Sequence, residues 1–259
     1  MIKFSANLGF LWSELEICDA IHAAARAGFD AVEFHWPYEI PAEKVVKALQ
    51  ETHLTVLGLN TRPGDKAAGD FGLSAIPGRE KEARNHIEES IAYAAKIGCR
   101  NIHVLAGITG SDEKAETTYR GNLRYACEAA VAYDQVILIE PINQKIVPGY
   151  HLSTVEKAAS TIRALDKPNL KIMFDCYHIQ IMQGNIITRL AEYLHLIDHV
   201  QIAAVPDRGE PNGGELNYPN ILKALNAMGY TGYVGAEYQP GTTTQSGPHW
   251  LADFKDLCR

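Results

Sequence analysis

In the second half of this chain four apolar, strand-like runs each carry an oxygen-bearing polar residue at or near their end: VILIE at Glu140, LKIMFD at Asp175, HVQIA at Gln201 and YVGAE at Glu237. A carboxylate left alone in an apolar setting raises its pKa and neutralises, so several that converge share a cation or a proton-transfer task. Any one of them, taken singly, is as readily a polar strand end facing solvent; the recurrence in successive strands is what points to a site. Oxygen-only ligands favour a hard divalent cation, Mg2+ or Mn2+, over zinc, which prefers nitrogen and sulfur. Incomplete protein coordination would leave positions for water or for two substrate oxygens. A metal in that state polarises a carbonyl and stabilises a developing enediolate, while a carboxylate beside it moves a proton.

The elements that must position these residues repeat with one period. Short β-branched runs alternate with helical-period segments, with no low-complexity stretch and no long linker. Ile2 to Leu8 reads as a strand, Glu14 to Ala27 as its helix closed by Gly28, and Ala31 to Phe34 as the next strand. A helix starting near Pro41, strand Thr55 to Asn60, helix Glu80 to Ile97 ended by Gly98 and strand Asn101 to Leu105 follow. Then come helix Thr117 to Tyr133, strand Val136 to Glu140, helix Thr154 to Leu165, strand Leu170 to Asp175, helix Ile186 to Leu196 and strand His199 to Ala203. Helix Tyr218 to Met228, strand Tyr233 to Glu237 and a last helix within 247–257 complete roughly eight pairs, the count of a (β/α)8 TIM barrel. That fold, as a single domain over residues 1–259, sets the four polar strand ends around one mouth. An open doubly wound sheet is the competing architecture, but no GxGxxG or GxxxxGK follows the first strand to make a nucleotide site.

Composition agrees with a soluble enzyme-sized chain: 259 residues, 46% hydrophobic, 21% charged. A net charge of -7 sets the average surface against nucleic acid and anionic membrane, so small polar molecules are the expected partners. The five cysteines are scattered and form no CxxC pair, which argues against a disulfide framework and a structural zinc site and for a reducing compartment. With no apolar run long enough for a secretory signal or a bilayer span, a cytoplasmic location is expected.

The segments FSANLGFLW, GFDAVEFHWPY, PGDKAAGDFGLSAIPGRE, ILIEPIN, PGYHLST, FDCYHIQIMQGN, HVQIAAVPDRGEPNGGELNY and GYVGAEYQP resemble the hydroxypyruvate isomerase family, from Met1 to about Gln239. That family belongs to the xylose isomerase-like TIM barrels. The resemblance implies interconversion of hydroxypyruvate and tartronate semialdehyde, or the same chemistry on a 2-oxo-tetronate one carbon longer, with ketose 3-epimerases as further relatives. It places the metal on Glu140, Asp175, Gln201 and Glu237, makes Glu140 and Glu237 double as the acid and base pair, and sets His178 and Arg208 at positions that contact substrate oxygens. A guanidinium also suits the carboxylate of a 2-oxo acid and stays charged at any working pH. Glutamine at 201 matches the hydroxypyruvate isomerase branch, whereas the ketose epimerase branch usually has histidine there. Many members carry arginine where this chain has Phe71, so an acid group that relied on that arginine must find another cation here. No organic cofactor is called for, and self-association is left open.

Other residues read more plainly. Glu33 is a core hydrogen-bonding residue or a neighbour of the site, and His195 and His199 lack the glutamate of HExxH and read as structural. Arg79 and Glu80 read as a helix start, Lys66 as an exposed lysine on a loop that could cover the site, and Trp12, Trp36 and Tyr38 as an aromatic wall or as packing. A metal-dependent apurinic endonuclease would need more histidines and a basic face, and a non-catalytic sugar-acid binder would have no use for both glutamates.

Overall fold

In the computed structural model, which describes residues 2–110, 113–241 and 248–258, eight parallel strands close in sequence order into a barrel. They are β1 (Lys3–Asn7), β2 (Ala31–Glu33), β3 (Thr55–Asn60), β4 (Asn101–His103), β5 (Val136–Ile139), β6 (Leu170–Asp175), β7 (Ile197–Ile202) and β8 (Tyr233–Ala236), with β1 pairing β8. Outside lie α1 (Ile17–Arg26), α2 (Ala42–Thr52), α3 (Glu80–Ile97), α4 (Glu113–Ala130), α5 (Val155–Leu165), α6 (Cys176–Met182), α7 (Ile186–Tyr193), α8 (Tyr218–Ala227) and α9 (Trp250–Leu257). The expected start of the last helix at Gly247 lies outside the described residues.

Parallel strands covered by helices bury both faces, which is why they read as continuous apolar runs rather than alternating ones. The alternation is nonetheless real and sorts the side chains. Ile137, Ile139, Ile172, Phe174, Val200 and Val234 belong to the large core between strands and helices, whereas Val136, Leu138 and Met173 form a separate small cluster inside the barrel. Carrying that period of two forward puts Glu140 and Asp175 on the inward face, above an apolar floor. Inside β8 the inward position is Gly235, where a Cβ would lie 2.3 Å from Glu33 Oε1 and 2.8 Å from His199 Nε2. Gly235→Ala is therefore expected to push this buried pair apart and to destabilise by about 1–3 kcal/mol, a loss of roughly 2–4 °C per kcal/mol that a thermal melt would read.

Local signals account for the helix ends. Thr154 Oγ1 accepts from Lys157 N at 3.2 Å to cap α5, Asn217 accepts from Asn220 N to cap α8, and Gly98, at φ 72, closes α3 in the left-handed region that glycine occupies without strain. The sequence reading joins one helix too few: α6 follows Asp175 directly, and seven residues are too few to display a helical period. Its cap is Asp175 itself, whose Oδ1 accepts from Tyr177 N at 2.8 Å. Among the described residues no helix is long and apolar enough to cross a membrane.

Candidate active site

All eight strands deliver a polar side chain to the same end of the barrel. Asn7, Glu33, Asn60, His103, Asp175 and Gln201 lie at or near the ends of β1, β2, β3, β4, β6 and β7, and Glu140 and Glu237 follow β5 and β8 by one residue. Strand register levels them in pairs: Asn7 with Glu33, Asn60 with His103, Asp175 with Gln201. Beyond the second-half members the sequence reading named Glu33, as a core residue or a neighbour of the site; the first-half runs KFSAN, TVLGLN and NIH carry the same signal.

Glu140, Asp175, His178 and Glu237, all buried, each offer an atom within 4.8 Å of the others. Arg208 closes one side of this group: Nη2 donates to Glu237 Oε2 at 2.6 Å and lies 3.5 Å from Asp175 Oδ2. The guanidinium sits over the rings of Phe10 at 4.7 Å and Tyr177 at 4.9 Å, a cation–π clamp that fixes its plane. Its backbone is at φ 57, held by Arg208 N donating to Ala204 O and Gln239 N donating to Arg208 O, so the loops after β7 and β8 are tied together. Glu237 also accepts from Asn7 Nδ2 at 2.8 Å, with His35 Nε2 3.3 Å away.

Three carboxylates around one guanidinium cannot all ionise comfortably. Burial, Glu237 and Asp175 push Glu140 well above the usual carboxylate range, and burial carries Asp175 up to about 7 against the pull of Arg208. Glu237 goes the other way: burial alone would raise it, but Arg208 and His35 hold it low. The site is thus short of positive charge, the condition a divalent cation relieves.

The free atoms have the chemistry such an ion needs. Gln201 Nε2 donates to Glu33 Oε2 at 2.9 Å, which assigns the other amide atom as oxygen, and that buried Oε1 has no hydrogen-bond partner among the described residues. Glu140 Oε1 is likewise unpartnered. His178 is different. Its Nδ1 accepts from the backbone N–H of Asn143 at 3.2 Å, so the proton is on Nε2, which faces Asp175 Oδ2 at 3.5 Å and Glu140 Oε1 at 3.8 Å. An Nε2–H is a donor for a substrate oxygen and has no lone pair for a metal. The residues present therefore fit a hard cation held by Glu140, Asp175, Gln201 and Glu237, with His178 beside it.

Glu33 does not reach the cavity wall; buried, it orients Gln201, accepts from Ser5 Oγ and lies 3.0 Å from His199 Nε2, so both Glu33 and His199 support the site from beneath. A cavity of about 580 Å³ opens above the carboxylates, lined by Phe10, His35, Trp36, Lys66, Phe71, His103, Leu105, Ile142, Tyr177, His178, Arg208 and others. Of Trp12, Trp36 and Tyr38, read as an aromatic wall or as packing, Trp36 lines it. Trp12 is buried edge-on to Phe29, and the Tyr38 hydroxyl is bonded to Asn60 O and Ser90 instead. Trp12 and Tyr38 thus pack, the second of the two readings, and Phe10 lines the cavity beside Trp36. Lys66 is exposed, as expected, yet also lines the cavity with Nζ 4.7 Å over the Trp36 ring. Its loop is pinned by Asp70, which accepts from both Asp65 N and the Arg79 guanidinium at 2.8 Å. Arg79 precedes α3 and Glu80 begins it, as read.

A family model described as xylose isomerase-like TIM barrel matches residues 21–254. A 2-oxo-tetronate isomerase of Cupriavidus necator is 41% identical over 257 residues, covering 98% of this chain and 99% of that protein. The hydroxypyruvate isomerase of Escherichia coli is 39% identical over 258 residues, covering 98% and 100%. Among solved structures, one described as AP endonuclease, family 2 from Brucella melitensis superposes with a TM-score of 0.94 at 40% identity, covering 98% of this chain and 99% of that one.

Proposed function

Because the chain belongs to the xylose isomerase-like TIM barrel family, in its hydroxypyruvate isomerase branch, we propose that it isomerises a small 2-oxo hydroxy acid by proton transfer between adjacent carbons. The observation that carries this reading is the buried group of Glu140, Asp175 and Glu237 around one arginine, with Gln201 Oε1 left unpartnered beside it. Glu140, Asp175, Gln201 and Glu237 would hold Mg2+ or Mn2+, which supplies polarisation of the substrate oxygens and neutralises charge when bound. One glutamate takes the proton from the hydroxyl-bearing carbon to give an enediolate, the other returns a proton to the former carbonyl carbon, and the hydroxyl proton passes to the neighbouring oxygen. His178 Nε2–H donates to a substrate oxygen. The barrel as one domain carries this activity, and free cysteines throughout go with a cytoplasmic setting.

Arg208 takes the acid group. Its Nε and Nη2 are engaged by Glu237 and Asp175, which leaves Nη1, with no partner among the described residues, for an incoming carboxylate. Arg208→Lys keeps the charge and loses the fork and the flat face between Phe10 and Tyr177. We expect it to lower kcat/KM on oxo acids at least about 10-fold more than on neutral ketoses, since a hydrogen bond to a charged group is worth about 1.5–3 kcal/mol. Equal losses on both classes would count against a carboxylate role.

Hydroxypyruvate and the four-carbon 2-oxo-tetronates are both accommodated by this reading, and the 580 Å³ cavity has room for either. Ketose 3-epimerisation differs in that the proton returns to the opposite face of the same carbon rather than to its neighbour. Apurinic-site cleavage fits poorly with a net charge of -7. The test is a panel: protein stripped of metal, reloaded with Mg2+ or Mn2+, and assayed on hydroxypyruvate, 2-oxo-tetronates, free ketoses and abasic DNA. Turnover of ketoses or DNA but of neither acid would overturn the proposal.

A further inference from the structure

His103 ends β4 inside the barrel, 2% exposed, and neither of its ring nitrogens has a hydrogen-bond partner among the described residues. Glu140 Oε2 is 3.6 Å from Nδ1, too long for a hydrogen bond. A buried polar atom left unmade costs about 1–3 kcal/mol, so two on one ring, at the wall of a cavity, call for a ligand that satisfies them. An imidazole in its neutral form has one nitrogen to donate and one to accept. A hydroxyl, which also does both, is its natural complement.

Position says which hydroxyl. Glu140 is flanked by β6 on one side and β4 on the other. Asp175, His178 and Arg208 gather on the β6 side, where the reacting carbons and the acid group are provided for. His103 stands on the β4 side, and Leu105 and Ile142, two residues beyond His103 and Glu140, give the same cavity an apolar lining. We infer that His103 hydrogen-bonds a substrate hydroxyl beyond the two reacting carbons, and so selects a four-carbon 2-oxo-tetronate over three-carbon hydroxypyruvate. The inference rests on the isomerase reading above and narrows it to one substrate class.

A site built to hydrogen-bond a hydroxyl discriminates strongly against the analogue that lacks it, because its own polar atoms are then left buried and unpaired. The wild-type protein is expected to show kcat/KM at least about 10²-fold higher on the four-carbon acid. His103→Leu should lower that value by about 10²-fold, at least about 10-fold more than it lowers hydroxypyruvate turnover. His103→Asn, whose amide can stand in for Nδ1, should recover most of the loss. Calorimetry on the metal-loaded variants gives a second readout: the unreactive four-carbon acid threonate should bind about 10-fold more weakly to His103→Leu, and three-carbon glycerate unchanged. Metal content and melting temperature complete the set. Unchanged preference in His103→Leu, or equal losses on both acids and both unreactive analogues, overturns this inference alone, as does a wild-type preference for hydroxypyruvate. A wild-type protein that converts neither acid overturns the isomerase reading and takes this inference with it.

Discussion

Glu140→Gln and Glu237→Gln should each lower turnover by at least about 10²-fold to 10⁴-fold, the usual cost of removing a general acid or base. The two residues follow different strands, β5 and β8, and converge through the barrel to within 4.8 Å of common neighbours, the arrangement needed to reach two adjacent carbons of one small molecule. Glutamine keeps the shape and an oxygen, so the change isolates proton transfer as far as one substitution can. In deuterium oxide the wild-type protein is expected to wash deuterium into the carbon next to the substrate carbonyl, because a proton held on a carboxylate exchanges before it is returned. Metal content must be measured in each variant, since both residues are also candidate ligands. The decisive result is a metal-loaded variant that binds substrate and neither exchanges nor converts it; wild-type exchange and conversion in both loaded variants would show that the paired glutamates do not move the proton.

Asp175→Asn is expected to separate the ion from the fold. Asparagine can still accept from Tyr177 N through its side-chain oxygen, so the cap of α6 survives while the charge is lost. Changing a neighbour that only orients a metal ligand costs about 10–100-fold in affinity or activity, so removing a ligand charge should cost at least about 10²-fold, with metal content and turnover falling together. Without metal the sign reverses. Burial raises Asp175 to about 7 in the folded protein, above its unfolded value of 3.8, so the folded state holds the extra proton and metal-free stability falls as pH rises from about 4 to about 7. The variant lacks that group, so metal-stripped Asp175→Asn should melt above metal-stripped wild type at pH 8, with the difference closing toward pH 4. Each unit by which the folded value exceeds the unfolded one is worth about 1.4 kcal/mol. Unchanged metal occupancy and turnover in the variant would remove Asp175 from the site.

Much of this was legible in the residues alone. The bounds of β3, α3 and β6 are those read from Thr55 to Asn60, Glu80 to Ile97 and Leu170 to Asp175, because each run has its punctuation beside it: Asn60 before a proline-glycine loop, Gly98 after α3, Asp175 as both strand end and helix cap. Period and strand count give a barrel, and a barrel puts polar strand ends at one mouth, so the convergence of Glu140, Asp175 and Glu237 was implied once the fold was. What local sequence leaves undetermined is which way a side chain with two kinds of atom is turned. Gln201 presents its oxygen because Glu33, distant by 168 residues, takes its N–H, and His178 presents an N–H because the Asn143 backbone occupies its other nitrogen. The same holds for Arg208, whose plane is set by Phe10 from the loop after β1 and Tyr177 from α6, and for Trp36 facing the cavity while Trp12 packs. Residue type and spacing are properties of one segment, whereas the orientation of an amide, an imidazole or a guanidinium is decided by hydrogen-bond and ring partners that only closure of the barrel brings within reach.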